Sequence, residues 1–269
     1  MRSLRLAAAT AALLSAVAVL SACDPDGTDT GDAATGAAAP AATAPSSTAP
    51  GTAGAKSPGA AKTSAASDGG AAGQAGRLPA GVWIDPKAVP LNAALHWKAP
   101  GPAAKALGEK GRLRIEELCK APRDDSFTEV PMVETASLGG SAGDWAADET
   151  IASFGSAKDS SGRAQSGFLL LGSVVQGLKD CGSTVPGASV KVSSEDSTFA
   201  AATLTLPRAG GGTVEVHEYL SVQDGSVAEL TLHAELPKGG RPKTAWSAPA
   251  DQGVLDTLGR TVCTAFGDC

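Results

Sequence analysis

Among the residues of this 269-residue chain, His217 and His233 have the types and spacing best suited to chemistry. Each sits in a run of alternating residues, 213–222 and 227–236, with a glutamate two positions away, Glu215 and Glu235. The runs are joined by Asp224-Gly225-Ser226, which is a turn signal. A two-residue loop would set Leu220 opposite Glu229. A three-residue loop with Gly225 left-handed sets Leu220 opposite Leu230, and burial of one face selects that register. His217 then falls opposite His233, Glu215 opposite Glu235 and Tyr219 opposite Thr231, all on an outer face. Two imidazoles flanked by two carboxylates could hold Zn²⁺ or Cu²⁺, or act as a pH sensor. A solvated strand face needs polar residues at the same positions and is the preferred account, so no metal or other cofactor is assigned.

The other chemical motifs are weaker. Gly139-Gly140-Ser141-Ala142-Gly143 matches G-x-S-x-G. A nucleophile elbow needs a strand before the serine and a helix after it, inside a parallel sheet. Here an extended segment follows at Asp144-Trp145, so the pentapeptide reads as a loop. An enzyme would need a pocket joining Ser141 to a histidine. There is no HExxH, no Walker A and no GxGxxG before a helix. His96-Trp97 reads as a packing aromatic beside a surface histidine. Trp83, Trp97, Trp145 and Trp246 could line a ligand cleft, but tryptophans more often close a core. The chain is therefore expected not to be an enzyme.

The cysteines speak to location. Arg2 and Arg5 precede an apolar run over residues 6–20, a charged n-region followed by an h-region. The run is shorter than the about 20 apolar residues that span a bilayer. It ends in Leu20-Ser21-Ala22-Cys23, which resembles the lipobox of bacterial lipoproteins. The resemblance implies cleavage before Cys23 and a lipid on its thiol. Residues 1–22 are then a signal peptide, and the protein is held on the extracytoplasmic face of the cell membrane. Four cysteines remain, Cys119, Cys181, Cys263 and Cys269. An even count in an oxidising compartment reads as two disulfides. Sequence leaves three connectivities open; Cys119–Cys181 with Cys263–Cys269 is preferred, because the first two each end an expected element.

Residues 24–77 contain no Val, Ile, Leu, Met or aromatic residue. Such a stretch cannot bury enough apolar surface to offset chain entropy, so 23–77 is expected to be a lipidated, disordered tether. Its reach as a flexible coil is on the order of 40 Å. The folded part is expected over 78–269. Strands are expected over 129–136, 145–154, 189–193, 199–206, 213–222 and 227–236. A helix is expected from an N-cap at Asp159 or Ser160 to a C-cap at Gly182, with Ala164, Phe168, Leu171, Val175 and Leu178 as its apolar stripe. A last helix is expected over 250–266, with Leu255, Leu258, Val262 and Phe266 facing inward. Strands in runs, without strict βαβ alternation, give an α+β fold: an antiparallel sheet with both main helices packed on one face. A net charge of −6 with no basic patch argues against nucleic acid as a partner.

Thr150-Ile-Ala-Ser-Phe154 feeds a helix ending Leu178-Lys-Asp-Cys181, and an antiparallel run leads to a helix carrying Thr261-Val-Cys263. With the lipobox and the tether, this order resembles the extracellular sensor domain of PknH-type actinobacterial serine/threonine kinases, which also occurs in free lipoproteins. The resemblance implies an antiparallel sheet with helices against it, two disulfides and a cleft for an unidentified envelope ligand. The expected function is a membrane-anchored, extracytoplasmic sensing or regulatory module, with a sensor kinase or an anti-sigma ectodomain as its partner. A lipid or small-solute carrier and a structural envelope protein are the alternatives.

Overall fold

The computed structural model describes residues 77–123, 130–155 and 161–267, all within one unit, Ala65–Cys269. The expected signal peptide, Cys23 and the tether lie outside the described residues, Arg77 excepted. Among the described residues no helix is long and apolar enough to cross a membrane.

The strands are β1 (Lys105–Ala106), a short exposed pair, and β2 (Met132–Gly140), β3 (Trp145–Ser153), β4 (Ser189–Glu195), β5 (Phe199–Arg208), β6 (Gly212–Gln223) and β7 (Ser226–Leu236), built largely on alternating apolar residues. They make one sheet in the order β1-β2-β3-β7-β6-β5-β4, and every pairing is antiparallel. The helices are α1 (Asn92–Leu95), α2 (Arg114–Leu118), α3 (Ser161–Lys179), α4 (Cys181–Thr184) and α5 (Asp251–Phe266). The fold is α+β, as expected.

The placement of the helices differs from expectation. Tyr219, Leu230 and Leu232 are buried in one cluster with Val254, Leu255, Leu258 and Val262 of α5. Val216, Leu220 and Val222 are buried in another with Leu170, Leu171, Val174, Val175 and Leu178 of α3. Odd and even positions of β6 point to opposite faces, so α3 and α5 cover opposite sides of the sheet rather than one. Both faces of its centre are interior.

That explains why the expected hairpin register fails. The pairs observed are Gln223↔Ser226, Leu220↔Glu229, His217↔Leu232 and Val216↔His233. Asp224 (φ 48°) and Gly225 (φ 76°) are both left-handed, the signature of a two-residue type I′ turn. Matching Leu220 to Leu230 assumed that one face met water. With helices on both faces that constraint vanishes, and the turn decides. His217 and His233 therefore lie on opposite faces.

The α3 stripe also shifts. Phe168 is 42% exposed, and the buried line runs through Gly167, Leu170, Leu171, Val174, Val175 and Leu178. Gly167 explains the shift. A Cβ there would lie 2.9 Å from the backbone of Gly225, so the helix touches the β6–β7 turn through its own backbone. Gly177 similarly faces Ala121, at 2.7 Å from an added Cβ. Gly172 faces open space. The helix ends at Lys179, and Gly182 lies inside α4 instead of capping α3; Asp159 and Ser160 lie outside the described residues.

Cys119, at the C-terminus of α2, is bonded to Cys181 at the start of α4, a link of a kind that stabilises by about 2–4 kcal/mol. Cys263 is also disulfide-bonded; Cys269, its expected partner, lies outside the described residues. The glycine contacts set an opposed pair of outcomes in thermal melts. Gly172→Ala raises the midpoint, by up to about 1 kcal/mol of stability, because it removes backbone freedom without a clash. Gly167→Ala lowers it, and a neutral or stabilising Gly167→Ala would disprove the close approach.

Candidate functional site

The face beneath α2 and α3 carries a polar seam. Along β7 the residues pointing to it are Glu229, Thr231, His233 and Glu235, and β3 contributes Asp148 and Thr150, with Asp148 paired to Thr231 and Thr150 to Glu229. At its inner end Glu229 is fully buried. Its carboxylate accepts hydrogen bonds from the backbone N–H groups of Arg114 and of Ile115 (2.8 Å), the first turn of α2. A carboxylate there satisfies helix N–H groups that have no partner within the helix. Glu218, on β6, lies beside it and accepts from Thr231 Oγ1 at 2.9 Å. Burial, and then the charge of Glu229, hold Glu218 well above the usual carboxylate range, so it keeps its proton and donates to Glu229. Burial raises Glu229 to about 7 against the amide and Glu218 hydrogen bonds that favour its charge. At neutral pH the pair therefore holds a proton on Glu218, and Glu229 titrates beside it.

At the outer end the seam opens into a cleft of about 520 Å³, with Ala146, Asp148 and His233 along its strands and Gly139–Gly143 of the β2–β3 turn among its lining residues. The turn is glycine because it must be flat. Gly139 (φ 126°), Gly140 (φ 158°) and Gly143 (φ 73°) take conformations that L side chains avoid, and a Cβ on Gly140 would lie 2.4 Å from that of Ala146. Asp144 locks the turn, accepting from the backbone N–H of Trp145 (3.0 Å) and of Thr244 (3.1 Å) and from Thr244 Oγ1 (2.9 Å).

His233 Nδ1 is buried without a hydrogen bond, 3.7 Å from Asp148 Oδ2. Burial holds the imidazole below its usual range; Asp148 and Glu235 oppose that shift and Arg114 adds to it. The ring is therefore neutral at pH 7.

The four residues singled out as metal ligands are dispersed. His233 shares its face with Glu235, which pairs with Arg208 at 2.6 Å. His217 is on the other face with Glu215, stacked on Trp246 at 3.4 Å and edge-on to Trp145. Burial pushes its pKa down to about 4, against the pull of Asp251. Among the described residues no group of three or more His, Cys, Asp or Glu side chains is arranged to hold a metal. Trp83, Trp97 and Trp145 are buried in the α5-side core, with Trp246 packed against it. Ser141 and His233 do line one cleft, but Ser141 sits between two antiparallel strands, not in a strand-to-helix elbow, and no hydrogen bond joins the two.

Sequence reasoning missed Asp148, Glu218 and Glu229. Their signal was present: carboxylates inside runs that are otherwise strand core, as in Glu229-Leu-Thr-Leu-His233.

No protein-family model and no curated protein matches the chain. Among solved structures it is similar to PA94, a Pseudomonas aeruginosa protein of unknown function, at 15% identity over 38% of this chain and 67% of that one, with a TM-score of 0.25. It is also similar to a STAR-related lipid transfer protein from Xanthomonas axonopodis, at 9% identity over 50% of this chain and 90% of that one, with a TM-score of 0.18. Likenesses at these scores carry no argument about what the chain does.

Two titrations follow from the seam. By NMR, His233 titrates below 6.5; Asp148→Asn lowers its pKa further and Arg114→Gln raises it, and the opposite pair of shifts would refute the assigned electrostatics. The raised carboxyl pKa values mean that the folded state holds more protons than the unfolded chain above pH 4.5. Their contribution to stability is therefore greatest at low pH and falls as pH rises through 7. Glu218→Gln keeps a donor for Glu229 and an acceptor for Thr231 without the titration. In urea melts it loses less stability between pH 5 and 9 than the parent; an equal or greater loss would exclude a proton held on Glu218.

Proposed function

We propose that the chain is a lipid-anchored, extracytoplasmic binding module that senses an envelope ligand or regulates a membrane signalling partner. The carrying observation is the cleft beside the β2–β3 turn: a rigid wall pinned by Asp144, facing a neutral imidazole and a carboxylate that no protein donor satisfies. Preformed concave sites with a few convergent polar groups are typical of recognition. The Cys119–Cys181 disulfide fits an oxidising compartment, and the Leu20-Ser21-Ala22-Cys23 sequence supplies the anchor. The partner class is a sensor kinase or an anti-sigma ectodomain.

Cys23→Ala tests the anchor, since the variant should leave the membrane fraction while the parent stays in it. A photo-crosslinker in place of Ser141, in the anchored protein, tests the role. Capture of one such ectodomain supports regulation. Retention of the Cys23→Ala chain in the membrane would remove the anchor, and a Ser141 crosslink to no ectodomain would remove the regulatory partner.

A further inference from the structure

Asp148 is unusually placed for a carboxylate. Its side chain is only 27% exposed; its cross-strand neighbours are Ser137 and Thr231, and its one charged partner among the described residues, His233 Nδ1, stands at 3.7 Å, beyond hydrogen-bond range. Among the described residues, three cations of the surrounding elements pair with groups other than Asp148, although Arg114 Nε is buried without a partner. Lys243 Nζ donates to the carbonyl of Ala142 at 3.1 Å, Arg208 pairs with Glu235 at 2.6 Å, and Arg114 pairs with Glu117 at 3.2 Å. A charge that is mostly withdrawn from water and receives no donor is costly, and a donor that also carries positive charge relieves it best.

The rest of the cleft narrows the chemistry. Neutral His233 adds an acceptor and no charge. Ser137 Oγ already accepts from the Gly139 N–H at 3.3 Å, so its own hydrogen is free to donate, and Ser141 adds a second hydroxyl. The only side-chain carbon on the lining outside polar residues comes from Ala142 and Ala146. An apolar body would gain little here, whereas a hydroxylated one meets serine hydroxyls and bare peptide groups.

We propose that the cleft takes a small hydroxylated primary amine, of amino-sugar character, with its ammonium on Asp148 and its hydroxyls along the Ser137–Ser141 wall. This rests on the binding-module function above and names the ligand class of the same site. The ammonium replaces water around Asp148, and Gly139, Gly140 and Gly143 leave room for the ring beside the Ser137 and Ser141 hydroxyls.

The test uses one ring with three charges: glucosamine, N-acetylglucosamine and glucuronate, each titrated into the isotopically labelled protein. Glucosamine should shift the amides of Gly139, Gly140 and Gly143 saturably, and the other two should bind at least about tenfold more weakly, the scale of one charged hydrogen bond. Asp148→Asn should abolish the preference without moving the melting temperature, since its carboxylate holds no other element in place. His233→Gln should weaken binding less than Asp148→Asn does. Equal shifts from N-acetylglucosamine, or unchanged binding by Asp148→Asn, would overturn the amine assignment and leave the binding module intact. No shift of the turn by any of the three would overturn it as well. In that event the Ser141 crosslink decides separately whether the cleft docks a protein.

Discussion

The turn at Asp224 and Gly225 sets the register on which the rest of the domain is built. Two consecutive left-handed residues close the hairpin in two positions, and Gln223 must face Ser226. From that pairing Glu218 and Glu229 come together on one face and His217 and His233 part to opposite faces. The same turn receives the backbone of α3 at Gly167. A third loop residue would flip every side chain of one strand relative to the other, bringing Glu229 to the α5 side and away from the first turn of α2.

Covering both faces of the sheet creates a second demand, because segments that cross a sheet leave backbone N–H groups buried without partners. Glutamates on the strands meet it. Glu229 holds the first turn of α2. Both oxygens of Glu149 accept from the Ile84 N–H at 3.1 Å, and Glu134 accepts from the Leu78 N–H at 3.1 Å. Glu116, inside α2 rather than on a strand, reaches back to the Leu113 N–H at 2.8 Å and pairs with Arg123. Each carboxylate fixes where a loop crosses the sheet. Their value lies more in specifying one arrangement than in net stability, since burying such groups is costly.

The sequence made part of this legible. Strand alternation, the stripe of α5 and the α+β class all follow from periodicity, and the Cys119–Cys181 pairing from its position at element ends. What could not be read was which parity of each strand met water. Glu229, Thr231 and His233 look like a solvated stripe because polar residues at every second position usually are one. Only the presence of α2 and α3 above them makes them interior, and the placement of α2 depends on Glu229 itself. The cleft was hidden for a similar reason: Gly139–Gly143 is common in a chain with 33 glycines, and its flatness is visible only once Ala146 is seen against it.

The two edges of the sheet are closed to strangers in different ways. On the β2 side, β1 supplies two residues of pairing, and the Lys98 and Leu107 N–H groups donate to the carbonyls of Leu138 and Val133, so the chain's own entry segment occupies the ladder. On the far side β4 breaks its register between Val192 and Ser194 and carries Lys191, the sort of bulge and charge that discourage strand addition. The first edge is thus partly occupied, and the second is interrupted by its bulge. Association through a shared ladder, whether with another copy or with an extended peptide, is thereby disfavoured, and recognition falls to side chains and to the few places where backbone is bared in a turn.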